Sequence, residues 1–422
     1  MTTYPNSYYA ASANPPPPRA SLARRVRAEI AVVGCGYTGL SAALNLAESG
    51  KTVVALEAER VGFAASGRNG GQVHSGFNVG QEELEAKLGR NRALRLWQLS
   101  ERAKSQVRDR MRRHAIECEL RDGILLAAHD EATARDLHDR VRHLNASYAY
   151  ADARYLAREE INVRIGTSIY RGGLHDRGGG HLNPLAFALG LARAAEAAGA
   201  TIFESSRALR MIEQGEAVTV QAAAGEVVAD KVVLACDAMM PAIAAPFSSY
   251  LANIESYLVA TAPVPPELGV LPFGDAVADT RRALDYYQLM PDRRLIFAGG
   301  ETTLRRAHDI AAMVRPRMLR VFPQLAKIPI EYAWSGTVAI TRTRLPHFGR
   351  LGKNVVFGYG YSGQGVALAV LGGKALAEAS SGASEDFELL ASIPPKAYPF
   401  GLKLRQPLAA AMVLALKLGD LM

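Results

Sequence analysis

The sequence predicts an α/β fold of two domains, one of them built on a Rossmann-like unit. Two observations carry this expectation. Residues 29–57, EIAVVGCGYTGLSAALNLAESGKTVVALE, read in order as strand, glycine loop, helix, strand and acid. The length of 422 residues exceeds what one simple core organises. A hydrophobic content of 49% with 21% charged residues suits a globular chain.

Ile30-Ala31-Val32-Val33 is a short apolar run of buried-strand type, and apolar residues recur at helical spacing from Leu40 to Glu48. Thr52 to Leu56 is a second strand run that ends on Glu57. In the loop between, Gly34 permits the tight turn, Gly36 lets the backbone approach a pyrophosphate, and Gly39 lets the helix pack closely on the sheet. The helix start at Tyr37 and Thr38 faces phosphate charge, and Glu57 can accept hydrogen bonds from ribose hydroxyls. A bare GxGxxG also fits an ordinary βαβ turn. Both flanking strands and the acid at the expected distance turn it into a dinucleotide-binding signal.

Residues 62–76, GFAASGRNGGQVHSG, are nearly devoid of large apolar side chains and so do not form core. Ser66, Gly67, Arg68, Asn69, Gly70, Gly71 and Gln72 make a donor-rich loop able to lie along an extended ligand. A nicotinamide site has no need of such a loop, whereas a longer flavin dinucleotide does. The stretches YTGLSAALNLAESG and VVALEAERVGFAASGRNGGQ, with the N-terminal NSYYAASANP, resemble the amine-oxidising flavoproteins of the D-amino-acid oxidase/glycine oxidase superfamily. Within it they are most similar to the γ-glutamylputrescine oxidoreductase group. GGHLNPLAFALGLARAAEAAGA is a further anchor, and the resemblance is weakest over 85–170 and 240–330.

The resemblance implies a Rossmann-like FAD-binding domain interleaved with a mixed-sheet α+β substrate domain. The FAD-binding parts are expected at 1–85, 171–240 and 335–422, and the substrate parts at 86–170 and 241–334. FAD is expected to be non-covalent, because the covalent branch carries a cysteine near 334–348 and this chain has none there. The resemblance places Ala58 beside Glu57, Ala208 by the adenine, and Cys236, Asp237 and Ala238 near the pyrophosphate. It makes 333–349, with Trp334 and Gly336, a loop that reaches the flavin ring. The turn Gly360, Tyr361, Ser362, Gly363, Gln364, Gly365 and Val366 opens a helix whose N–H groups and dipole suit an electron-rich ring edge.

Elsewhere the pattern predicts a long charged helix over 82–113, a strand over 119–128 and a helix over 130–145. Residues 170–183 form a glycine-rich stretch before a helix from Pro184 to Ala198. Strands follow at 200–204, a hairpin-like pair at 209–222 and 226–229, then runs at 231–236, 255–261 and 294–299. An Arg-rich helix over 303–321 is interrupted at Pro316. His114, His129, His138 and His143 read as surface histidines, and no metal-ligand spacing is present. Pro15 to Pro18 form an extended arm. From Pro407 an apolar helix ends the chain, docked on the body or touching a membrane as a peripheral anchor.

Three scattered cysteines without a CxxC, and no signal-peptide pattern, favour a cytoplasmic protein, with the inner membrane face as the alternative. The net charge of +8 would permit nucleic-acid contact, but no interleaved aromatic pattern marks an RNA module.

Flavin amine oxidation moves a hydride from the carbon beside nitrogen to flavin N5 and demands no acid–base side chain, which fits the absence of a Ser-His-Asp, Cys-His or metal constellation. In related α-amino-acid oxidases an Arg two residues after the glycine of the WxG stretch clamps the substrate carboxylate. Aligning Trp334 and Gly336 puts Val338 at that position. The expected substrate is therefore an amine of γ-glutamylputrescine type, oxidised to an imine and then an aldehyde, with oxygen or a quinone as electron acceptor. His74, Tyr286, Tyr287 and Arg342 are candidate pocket residues. The two adjacent tyrosines point to opposite faces of any strand, so at most one reaches the pocket. The alternatives are oxidation of a secondary or cyclic amino acid such as sarcosine or pipecolate, with Arg342 replacing the missing clamp, and a flavin-binding component of RNA modification or electron transfer.

Overall fold

The computed structural model describes residues 3–239, 247, 249–281, 283–301 and 309–398. Their strands form two sheets. The first has eight strands and runs in the order His347–Leu351, Val355–Tyr359, Glu226–Leu234, Arg25–Val33, Val53–Leu56 and Thr201–Phe203. The hairpin Arg210–Gln214 and Ala217–Gln221 extends it from Glu226–Leu234. Its centre is parallel: Ile30 pairs with Val53 on one side and Lys231 on the other, and Val232 pairs with Val355. Ile30 to Val33 are all buried, as a central parallel strand covered on both faces requires.

Helix Tyr37–Glu48 crosses one face of this sheet and packs against helices Pro184–Ala197 and Gly365–Ser381. Two glycines set that closeness. A Cβ on Gly39 would sit 1.8 Å from the Gly34 carbonyl oxygen, and one on Gly373 would sit 2.2 Å from the Thr38 carbonyl oxygen.

The second sheet has nine strands: Ile330–Thr341, Leu251–Pro263, Arg294–Ala298, Tyr286–Leu289, Ala276–Asp279, Arg121–Ala128, Gly172–His181 and Gln72–Val73, with Ala153–Ala157 also on Gly172–His181. One face packs on helix Ile310–Val321 in a core that includes Val259, Tyr287, Phe297, Val314 and Met318. The chain leaves the first sheet after Leu56, returns at Thr201, leaves again after Leu234 and returns at His347.

Several elements differ from expectation. The helix over 82–113 breaks at Gly89, where φ is +81°, into Gln81–Leu88 and Arg90–Arg113. The glycine-rich stretch 170–183 is mostly strand Gly172–His181. Its glycines make room for neighbours: a Cβ on Gly173 would lie 2.7 Å from the Leu126 carbonyl oxygen, and one on Gly180 would lie 2.5 Å from that of Arg121. That strand belongs to the second sheet, so an FAD-binding segment starting at 171 would separate it from its partners. The 333–341 stretch is strand rather than loop, because it pairs along its length with Leu251–Pro263. Residues 226–234 form one strand shared by the hairpin and the parallel sheet.

Helix Ile310–Val321 continues through Pro316, held by the buried Val314 and Met318 on either side. A short helix, Tyr8–Ser12, precedes the proline run, and its Tyr9 ring meets Trp334 edge-on at 5.2 Å. His138 is exposed, whereas His114, His129 and His143 are half-buried beside carboxylates. The apolar segment from Pro407 lies outside the described residues, and no described helix is long and apolar enough to cross a membrane.

Candidate functional site

Between the sheets lies a cavity of about 1020 Å³. At one end its wall is built by the strand ends of the first sheet. Gly34 turns the chain at φ +101°, and a Cβ there would lie 2.7 Å from the Ala235 carbonyl oxygen. Gly36 starts helix Tyr37–Glu48 without a side-chain cap of its own, so the N–H groups of Thr38 and Gly39 in the first turn are left for a ligand. Ser66 Oγ accepts the Tyr37 N–H at 3.0 Å. Glu57 stands at the next strand end. Its carboxylate accepts the Cys35 N–H at 2.8 Å and the Glu59 N–H at 3.0 Å. Burial pushes its carboxyl above the ordinary range, against those two bonds. Ala58, Ala208, Cys236, Asp237 and Ala238 complete this end. Burial pushes the Cys236 thiol up to about 12, which makes it a small wall residue rather than a nucleophile.

The middle is formed by two segments that face each other. In the first, Ser66, Arg68, Asn69, Gly70 and Gln72 line the wall. Asn69 braces its own loop, accepting the Gly71 N–H at 2.6 Å and donating to the Ala65 carbonyl at 2.9 Å. In the second, Tyr361, Ser362, Gly363, Gln364, Gly365 and Val366 line the opposite side. Thr38 and Tyr361 share a hydroxyl–hydroxyl bond of 2.9 Å that ties the two helix starts together. Helix Gly365–Ser381 also begins without a side-chain cap, and Gln364 Oε1 is buried with no partner among the described residues. Gly336 and Val338 contribute from strand Ile330–Thr341.

Some of the expected residues stand behind the wall. Gly39, Gly67 and Gly71 serve close packing: a Cβ on Gly67 would meet the Gly62 carbonyl oxygen at 2.3 Å, and one on Gly71 that of Leu182 at 1.9 Å. Trp334 is buried and donates Nε1–H to the Arg68 carbonyl at 3.1 Å, fixing the loop from outside. Gly360 donates its N–H to Asp237 at 2.7 Å.

The far end is roofed by the second sheet. Tyr286 faces it, its hydroxyl bonded to Ser256 at 3.1 Å and pushed to about 12 by burial. A Cβ on Gly70 would lie 2.5 Å from the Tyr286 ring. His74 is also on the wall. Gln72 donates Nε2–H to the Val277 carbonyl at 3.0 Å, so its Oε1 faces His74 Nε2 at 3.0 Å and places the imidazole proton there. Burial lowers the His74 pKa to about 4, so the ring is neutral.

Two expected pocket residues are elsewhere. Tyr287 turns to the other face of its strand, stacks on Phe297 at 5.2 Å and bonds the Tyr170 hydroxyl at 2.9 Å. Arg342 sits in the turn after Thr341, exposed, and donates to the Ala397 carbonyl at 3.2 Å. It is Arg344 of that turn that reaches the cavity margin. Sequence reasoning also missed Arg140, which lines the far end. The available signal was an arginine at the edge of the apolar stripe of its helix.

The residues present fit a flavin dinucleotide: two uncapped helix starts, a buried acceptor without a partner, glycines where a Cβ would clash, and a strand-end carboxylate on a long cavity. The fold and site therefore define a flavin-dependent oxidoreductase. Residues 29–379 match the family model described as FAD dependent oxidoreductase, and the chain belongs to this family. It is 35% identical to gamma-glutamylputrescine oxidoreductase of Escherichia coli (strain K12) over 97% of both chains. It is 37% identical to a probable oxidoreductase, OrdL, of Rhizobium meliloti (strain 1021) over 90% of both. Among solved structures, glycine oxidase from Geobacillus kaustophilus superposes with a TM-score of 0.75 at 19% identity, covering 88% of this chain and 100% of that one. L-proline dehydrogenase from P. horikoshii gives 0.71 at 18%, covering 86% and 95%. The chain thus shares its fold with these two enzymes.

Proposed function

We propose that this protein oxidises an amine whose reacting carbon is remote from any carboxylate, with γ-glutamylputrescine as the type compound, to an imine that hydrolyses to an aldehyde. The observation that carries the reading is Val338 on the cavity wall, at the position where the related amino-acid oxidases are expected to hold a carboxylate with arginine. Likeness to the E. coli enzyme at 35% identity supports it. Arg342 offers no substitute clamp, because it lies in an exposed turn.

When bound at this site, FAD would supply the hydride acceptor. The chain's own residues bind, orient and desolvate. The Gly34–Thr38 loop and Glu57 would hold the dinucleotide, and the turn from Gly360 to Val366 would lie along the ring. Tyr286 and His74 present uncharged polar groups to the amine. These two neutral groups offer the amine no counter-charge of their own, which favours the neutral amine that the reaction consumes.

The test is the visible spectrum of the purified protein, recorded anaerobically during addition of γ-glutamylputrescine, putrescine, sarcosine, pipecolate or D-alanine. Bleaching by γ-glutamylputrescine at the lowest concentration is expected. Bleaching by pipecolate or sarcosine in its place would move the protein to the amino-acid oxidases.

A further inference from the structure

Helix Glu131–Tyr148 turns Ala134, Leu137, Val141 and Leu144 inward. Arg140 lies half-buried at the edge of that stripe, on the side that faces the cavity. Trp97, Leu137, Leu144 and Leu174 line the same cavity. The Arg140 Nε is sealed from solvent and has no hydrogen-bond partner, and the guanidinium makes no ion pair among the described residues. Glu82 and Asp176 are near enough to favour its charge electrostatically, yet burial outweighs them and lowers its pKa. Asp176 is already engaged by the hydroxyls of Ser75 and Tyr150 and the N–H groups of Gly178 and Gly179.

The other arginines on the wall differ. Arg281 is tied to Asp279, Arg207 to Glu59 at 2.7 Å, and Arg68 to the Phe63 carbonyl at 2.6 Å. Arg344 is exposed. A guanidinium with a sealed, unpartnered Nε and no ion pair is costly, and the planar fork is matched by a carboxylate.

We propose that Arg140 anchors a carboxylate carried at the end of the substrate remote from its reacting amine. The inference rests on the amine-oxidation reading and narrows it to ω-amines with a distal acid. Trp97, Leu137, Leu144 and Leu174 on the same cavity wall suit the methylene chain that joins the two ends. The cavity then reads the substrate from the opposite end to an α-amino-acid oxidase: valine where the acid would be near the ring, arginine where it is far.

The test compares γ-glutamylputrescine with its α-methyl ester, on the flavin-loaded protein and on Arg140→Gln, by anaerobic flavin bleaching. In the parent protein the ester is expected to lose about 100-fold in kcat/KM, mostly through KM, the scale of a charged hydrogen-bonded pair. In Arg140→Gln the acid should fall by a similar factor, and acid and ester should then agree within about threefold. Equal use of acid and ester by the parent protein would overturn the anchor, even if Arg140→Gln did not fold. So would an equal loss on both compounds in the variant. Bleaching by neither compound overturns the amine reading itself, and the anchor with it.

Discussion

Glu57 is held by two backbone N–H groups before any ligand arrives, so its carboxylate is already aimed. Glu57→Arg reverses the charge at that point. It is expected to weaken flavin binding by tenfold or more, read as flavin retained per chain after purification; unchanged retention would refute the role. Tyr286 is neutral up to about pH 12, with its hydroxyl on Ser256. Tyr286→Phe should therefore lower kcat/KM by about tenfold while leaving the shape of the pH–rate profile from about 6 to 10 unchanged. Loss of an alkaline limb in that variant would show that Tyr286 titrates during turnover. At this scale the sequence was legible where geometry is local. The glycine loop, Glu57 and the rule that only one of Tyr286 and Tyr287 faces the pocket all follow from spacing. Which tyrosine faces inward, and that Arg140 rather than Arg342 lines the cavity, depend on pairing and packing between distant segments.

The helices crossing the first sheet touch through backbone. A Cβ on Gly373 would lie 2.2 Å from the Thr38 carbonyl oxygen and 2.7 Å from Ser41 Cβ. Gly373→Ala must push helix Gly365–Ser381 away from Tyr37–Glu48, and both helix starts face the cavity. A destabilisation of about 1–3 kcal/mol is expected from the denaturant midpoint, with a parallel loss of flavin retention. A stable variant with normal flavin content would mean that the helices can separate without cost. The N-terminal helix Tyr8–Ser12 is a comparable wedge. Tyr9→Ala removes a fully buried ring from Trp334, which itself fixes the Arg68 loop, and should cost about 3–5 kcal/mol in the same measurement. Elements with clear periodicity, such as Tyr37–Glu48 and Pro184–Ala197, were readable in the sequence. Strand Gly172–His181 was not, because its glycines answer to neighbours on other strands rather than to a local turn.

Across the whole molecule, three histidines from separate segments are held neutral by burial: His74, His181 and His347 each have a pKa lowered to about 4. The unfolded chain binds protons on these groups near pH 6.5, the folded chain only near 4. Their contribution to stability is therefore complete above about 6.5 and lost as pH falls towards 4. For His181, which is nearly sealed, the loss is on the order of 2 kcal/mol. Because carboxylates share the acid limb, the check is His181→Gln, whose stability should decline less steeply over that interval than the parent's. Cofactor linkage acts in the same direction everywhere in the molecule. Free FAD at about 100 times its Kd should stabilise the folded state by about 2.7 kcal/mol over the stripped protein, read as a rise in Tm.

The alternation of the chain between its two sheets also has a consequence in time. As the chain is synthesised, the first βαβ unit emerges early. The wall opposite is supplied by strand Ile330–Thr341 and the turn that ends at Val366. Domains that are continuous in sequence can close their sites while the rest of the polypeptide is still being made. Here the cavity closes only when nearly all of the chain is available. Capture of the flavin is thus a late event, performed by an almost finished protein, and a chain truncated before Val366 is left with an open loop and nothing to close over it.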